Sequence, residues 1–156
     1  CVDDEPLNPD DNDFLFAFGS DVIFRELHHY EDFILPPEAI GTIDSVTAWL
    51  RLRGKLARRN AKNLYILWKD GADTTVGDQL KNVLGYSFGW FAHTLTTAVT
   101  GASWTEERVD STQVGLWYEA GSEGPVGVPG LLYSAGFLVV HYETGEAVVK
   151  QVVLIK

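Results

Sequence analysis

The stretch Thr100-Gly101-Ala102-Ser103-Trp104-Thr105-Glu106-Glu107-Arg108-Val109-Asp110-Ser111-Thr112-Gln113-Val114-Gly115-Leu116-Trp117 decides the fold. It sets one short helical turn between β-rich segments and then runs straight into a strand. Ser103 and Glu106 have the Ser-x-x-Glu spacing of a capping box, in which the hydroxyl accepts the third helical N–H and the carboxylate reaches back to the N–H of the cap residue. That spacing predicts a capped turn over 104–110, with Trp104 and Val109 facing inward to seal a corner. From Thr112 to Glu119 the residues alternate, with Val114 and Leu116 on one side and Gln113 and Trp117 on the other, which is the period of a half-buried strand.

The same period recurs on either side of this corner. Phe14, Phe16 and Phe18 alternate with Leu15 and Ala17, and after Gly19-Ser20 a second run alternates Val22, Phe24 and Glu26 with Ile23 and Arg25. His28-His29-Tyr30-Glu31-Asp32 reads as a loop, closed by Pro36-Pro37. Gly41 to Lys55 is the clearest strand: Val46, Ala48, Leu50 and Leu52 form a core face, and Thr47, Trp49, Arg51 and Arg53 a wet one. Asn63 to Lys69 is another strand, ending at the turn pair Asp70-Gly71. A polar loop through Gly77-Asp78 and a strand over 84–97 follow. Pro125 and Pro129 keep the glycine-rich stretch 121–130 out of any sheet centre, and Leu131 to Glu143 and Glu146 to Ile155 form a last hairpin turning at Thr144-Gly145. Many short strands without a long helix predict an all-β chain, an antiparallel β-sandwich of jelly-roll type.

A chain of 156 residues fits one domain with a real core. We assign residues 13–156 to the sandwich and residues 1–12, rich in carboxylates and proline, to an extended acidic arm. The net charge of −10 is unevenly spread, since twelve of the 22 acidic residues precede residue 45. Arg51, Arg53, Arg58 and Arg59 form a basic stripe. Nucleic-acid binding depends on a net basic surface that neutralises phosphates, so in this acidic chain the stripe reads as complementary to the arm, and no nucleic-acid partner is expected. The lone cysteine, Cys1, excludes an intramolecular disulfide; it is either the arbitrary start of a fragment or the lipidated terminus of a surface protein. No apolar run is long enough to span a bilayer.

Candidate sites are few. The only clustering of imidazole with carboxylate, His28-His29 with Glu31-Asp32, places adjacent side chains on opposite sides of an extended chain, which suits a solvated loop better than a metal centre. Asp10, Asp11 and Asp13 offer hard oxygen ligands for Ca²⁺, but the segment lacks the glycine and distal glutamate of an EF-hand loop. No cofactor is expected. Glu106, Glu107 and Asp110 fit solvation of the helical turn better than a pair of catalytic carboxylates. His93 and His141 lie in apolar strand contexts, and there is no Gly-x-Ser-x-Gly elbow, so the chain does not read as an enzyme. Trp49 and Trp117 face away from the core and are candidates for a contact surface that stacks on a glycan. Finally, Val148, Val149, Val152, Val153, Leu154 and Ile155 make the last strand apolar on both faces, which suits an interior strand or an edge that pairs with a neighbouring chain.

Several of these residues also form a pattern: Cys1-Val2-Asp3-Asp4-Glu5 with Asp10-Asp11, then Ile43-x-x-Val46 leading to Arg51 and Arg53, then Asp70-Gly71, then Gly101-x-x-Trp104-Thr105-x-x-x-Val109-x-x-x-Gln113-x-Gly115. The pattern resembles a β-sandwich module of bacteriophage structural proteins and environmental viral sequences. The likeness extends to Tyr142, and the chain departs from it by adding Glu146 to Lys156. The resemblance implies a virion component, such as a capsid decoration, tail or fibre protein, located in a virion or at an extracellular surface. Homo-oligomerisation or pairing with other virion proteins would then proceed through the last strand and the arm. The alternative expectation is a lipid-tethered, carbohydrate-binding β-sandwich with Trp49 or Trp117 on the sugar.

Overall fold

The computed structural model describes residues 15–18, 23–30, 32–37, 39–54, 61–80, 87–120, 130–144 and 148–154. The strands are β1 (Leu15–Phe18), β2 (Ile23–His28), β3 (Ala39–Gly54), β4 (Ala61–Asp70), β5 (Asp73–Val76), β6 (Gly89–Leu95), β7 (Thr112–Ala120), β8 (Gly130–Thr144) and β9 (Val148–Leu154), with one helix, α1 (Glu106–Ser111), before β7. They form two antiparallel sheets. One runs β1-β8-β3-β6 with β9 also on β8, and the other runs β2-β7-β4-β5. The pairs β1–β8, β2–β7, β3–β6 and β4–β5 are nested in chain order, and alternate pairs fall in opposite sheets. That is the winding of a jelly roll.

The ninth strand is an addition to this eight-stranded winding. β8 spans 15 residues; its first part pairs β1 over Gly130–Tyr133 and its second part pairs β9 over Phe137–Glu143. β1 and β9 therefore lie end to end along the same side of β8, with β3 on the other side. Among the described residues β9 is an edge strand, not an interior one.

Alternation of side chains produces the core. Val46, Ala48, Leu50 and Leu52 of β3 and Leu138 and Val140 of β8 are fully buried, facing Leu64, Ile66 and Trp68 of β4 and Val114 and Leu116 of β7. Each buried valine, leucine or isoleucine among them contributes about 1.5–3 kcal/mol on leaving water. The indole N–H of Trp68 is donated across the gap between sheets to Nδ1 of His93 on β6, at 3.1 Å. Indole only donates, so this ring nitrogen must be the acceptor and His93 is neutral. Burial lowers the His93 pKa, opposed in part by the charge of Asp78.

The helical corner forms, but its cap is not Ser103. Thr105 is the N-cap: it is extended, at φ −131° and ψ 166°, and its hydroxyl accepts the Arg108 N–H. The reason lies one residue earlier. Trp104 is held in an isolated bridge to Ile43, and its indole N–H is donated to the Leu95 carbonyl at 3.0 Å, so the chain stays extended through 104. Trp104 and Val109 are buried as expected. The acids of the turn are not merely solvated: Glu106 Oε2 accepts the Leu35 N–H at 3.0 Å and Asp110 Oδ1 the Phe33 N–H at 2.6 Å, which ties the segment after β2 to the helix.

Three boundaries differ from the sequence expectation. β2 continues through His28, which pairs with Val114, so His28 is strand and not loop. β5, absent from the expectation, returns from a two-residue connection in which Gly71 adopts φ +59°. Its short, polar sequence Asp73-Thr74-Thr75-Val76 suits an edge strand and gives no alternation signal. β6 is shorter than the expected 84–97, spanning Gly89–Leu95, with Trp90 outward and Phe91 inward opposite Leu50. The acidic arm, residues 84–86 and the glycine-rich stretch 121–129 lie outside the described residues.

Candidate functional site

Each sheet presents its outward side differently. On the five-stranded sheet, Trp49 of β3 and Phe137 of β8 are register partners, and their rings stack with centroids 6.2 Å apart and planes 11° apart. Trp90 of the neighbouring β6 meets Phe137 edge-on at 5.2 Å and is 36% exposed. Toward the β9 edge the apolar surface continues through half-exposed Val139 to its register partner Val152, which is 49% exposed. Arg51 and Arg53 lie beside this surface with their guanidinium carbons 4.4 and 4.6 Å above the Phe88 ring, and Arg51 also donates to Ser134 Oγ at 3.1 Å. Cation–π contacts therefore hold these two arginines against the sheet. Arg58 and Arg59, the rest of the expected basic stripe, lie outside the described residues, as does the arm it was expected to meet.

Of the expected assembly edge, Val152 points outward and Val153 is buried against the core, while Ile155 lies outside the described residues. For Val148, Val149 and Leu154 the backbone pairing is defined: they sit opposite Glu143, Tyr142 and Phe137. Among the described residues β9 pairs with β8 alone. Its second row of backbone donors and acceptors has no strand partner, which is the template an incoming chain needs.

The outward side of the four-stranded sheet is concave. Leu27, Leu67, Lys69, Thr74, Val76 and Trp117, drawn from β2, β4, β5 and β7, line a groove of about 470 Å³ that is open on its outer side. Gly115 takes the outward position opposite both Leu27 and Leu67 and contributes no side chain between them. At one end Trp117 lies on its register partner Tyr65, with ring centroids 5.0 Å apart, and at the other Lys69 and Thr74 face each other across β4 and β5. The Trp117 indole nitrogen is buried and has no hydrogen-bond partner.

Trp49 and Trp117 thus both lie outward, as expected, but on opposite sheets and in different surroundings. The groove residues from β2 and β5 were missed, since only strand pairing brings them beside Trp117; the one hint was Asp70-Gly71, which as a hairpin turn implies a further strand after it. Asp10, Asp11 and Asp13 lie outside the described residues. Among the described residues no three His, Cys, Asp or Glu side chains converge as a metal would need, and no helix is long and apolar enough to cross a membrane. Compared with known proteins, the chain matches no protein family, no curated sequence and no solved structure.

Proposed function

We propose that this protein is a non-enzymatic structural component of an extracellular assembly, a phage virion part such as a capsid decoration, tail or fibre protein, that joins its neighbours by strand pairing at β9. The observation that carries this reading is the position of β9: an added strand at the margin of the jelly roll, with one backbone edge unpaired among the described residues and the exposed Val152 beside it. The outward apolar surface through Val139, Phe137, Trp49 and Trp90 continues directly from that edge. Pairing there would extend the sheet and cover part of that surface at once. Jelly rolls serve in viral capsids and in lectins, and fold alone does not choose between them. The residue pattern shared with phage modules favours the first.

Light scattering coupled to size exclusion, with negative-stain imaging, tests the proposal. The intact chain is expected to form oligomers. Val152→Lys, which leaves the inward side of β9 untouched, is expected to return it to monomers with an unchanged circular dichroism spectrum, as is a chain ending at Thr144. An intact chain that is monomeric at high concentration, or a Val152→Lys variant that assembles as before, overturns the reading.

A further inference from the structure

We propose that the groove over Gly115 binds an acidic saccharide unit, a pyranose bearing a carboxylate, with its ring on Leu27, Leu67 and Trp117 and its carboxylate at Lys69. This inference is independent of assembly through β9, which lies on the other sheet.

Shape gives the first argument. A groove of about 470 Å³ open along one side covers one face of a ligand and leaves its rim in water. An alkyl chain gains little from such half-cover. A pyranose has the matching form, with one C–H face that packs on apolar side chains and an aromatic ring, and hydroxyls around its circumference. Leu27, Leu67 and Val76 supply the aliphatic floor and Trp117 the aromatic wall.

A polar group gives the second argument. Thr74 places an exposed hydroxyl at the end of the groove away from Trp117.

Charge gives the third. The chain carries −10 overall, yet among the described residues no carboxylate is in ion-pair contact with Lys69 at the groove, whereas Arg108 is paired with Asp70 at 3.2 Å. A lone ammonium beside an apolar floor suits a ligand carboxylate, and it distinguishes an acidic sugar from a neutral one.

The experiment is titration of the full chain with a galacturonate trisaccharide at neutral pH, followed by tryptophan fluorescence and by isothermal calorimetry. Parallel titrations use a neutral glucose trisaccharide and hexanoate, which carries a carboxylate on an alkyl chain. The expected result is saturable binding of the galacturonate, weakened by added salt, with much weaker binding of the other two. Lys69→Gln is expected to lower affinity about fivefold and remove most of the salt dependence. Trp117→Leu removes the aromatic wall, and is expected to weaken binding by a further factor of about five. Both variants are conservative enough to fold, which thermal melting verifies. No saturable binding of galacturonate, equal binding of the neutral trisaccharide or of hexanoate, or folded variants that bind like the original chain would each overturn the proposal.

Discussion

The two outward surfaces carry the same kinds of residue, tryptophan beside cations and aliphatics, and use them in opposite ways. On the five-stranded sheet the side chains satisfy one another: Trp49 on Phe137, Trp90 against Phe137, Arg51 and Arg53 over Phe88. On the four-stranded sheet a glycine separates the corresponding groups, and what remains is a hollow with an ammonium that has no ion-pair partner among the described residues. Composition does not distinguish a surface that sheds water by its own packing from one that leaves contacts to be made. The residue between the large side chains does. A flat apolar surface beside a strand edge suits another protein, while a hollow with polar ends suits a small ligand.

The strongest way to break the contrast is to delete one indole from each side. Trp49→Ala removes a ring flanked by Phe137 in a central strand, and is expected to lower the unfolding free energy by about 2–3 kcal/mol in urea titration. Trp117→Ala, whose groove side is already empty, is expected to cost about 1–2 kcal/mol. Equal losses would mean that the groove is as tightly packed as the ring stack.

A pair of glycines sharpens the point at smaller scale. A Cβ at Gly136 would lie 2.6 Å from Tyr133 Oη, 2.8 Å from Leu50 Cδ2 and 3.2 Å from the Trp49 carbonyl, among buried groups with nowhere to move. Gly136→Ala is therefore expected to destabilise by about 1–2 kcal/mol. Gly115→Ala adds its methyl on the outward side between Leu27 and Leu67, and its unfolding free energy is expected to stay within about 0.5 kcal/mol of the original. A large loss at Gly115 would show that its backbone, not its missing side chain, is the requirement.

The smallest expected effect is a pH dependence shared by both sheets. Burial lowers the pKa of His28 on β2 and of His93 on β6 below the ordinary 6.5. Below that value the unfolded chain takes up protons that the native one refuses, so stability is complete above it and declines as pH falls through the folded pKa values. Melting temperature is expected to drop between about pH 7.5 and 5.5. His93→Gln, which preserves an acceptor for Trp68, should flatten part of that slope; an unchanged slope would leave His28 as its sole origin.

Much of this molecule was legible in its sequence because burial imposes alternation. Val46, Ala48, Leu50 and Leu52 announce β3 and its facing, and with it the outward placement of Trp49, Arg51 and Arg53. β5 was illegible for the converse reason: a four-residue edge strand with one partner needs no apolar face. The helical cap was misplaced because Ser103 and Thr105 are chemically alike. What selects Thr105 is the tertiary hold on Trp104 from Ile43 and Leu95, and the diversion of Glu106 to the Leu35 N–H. The groove depends on three strand pairings that bring Leu27, Leu67 and Val76 together, and local pattern does not encode such pairings.

The tandem seating of β1 and β9 along β8 has a mechanical consequence. Since the nested winding closes with β1, lending β9 to a sister molecule would forfeit its pairs with β8 and the burial of Val153 but would leave the eight strands of the winding paired. Exchange of that strand would link copies in series without asking any of them to unfold.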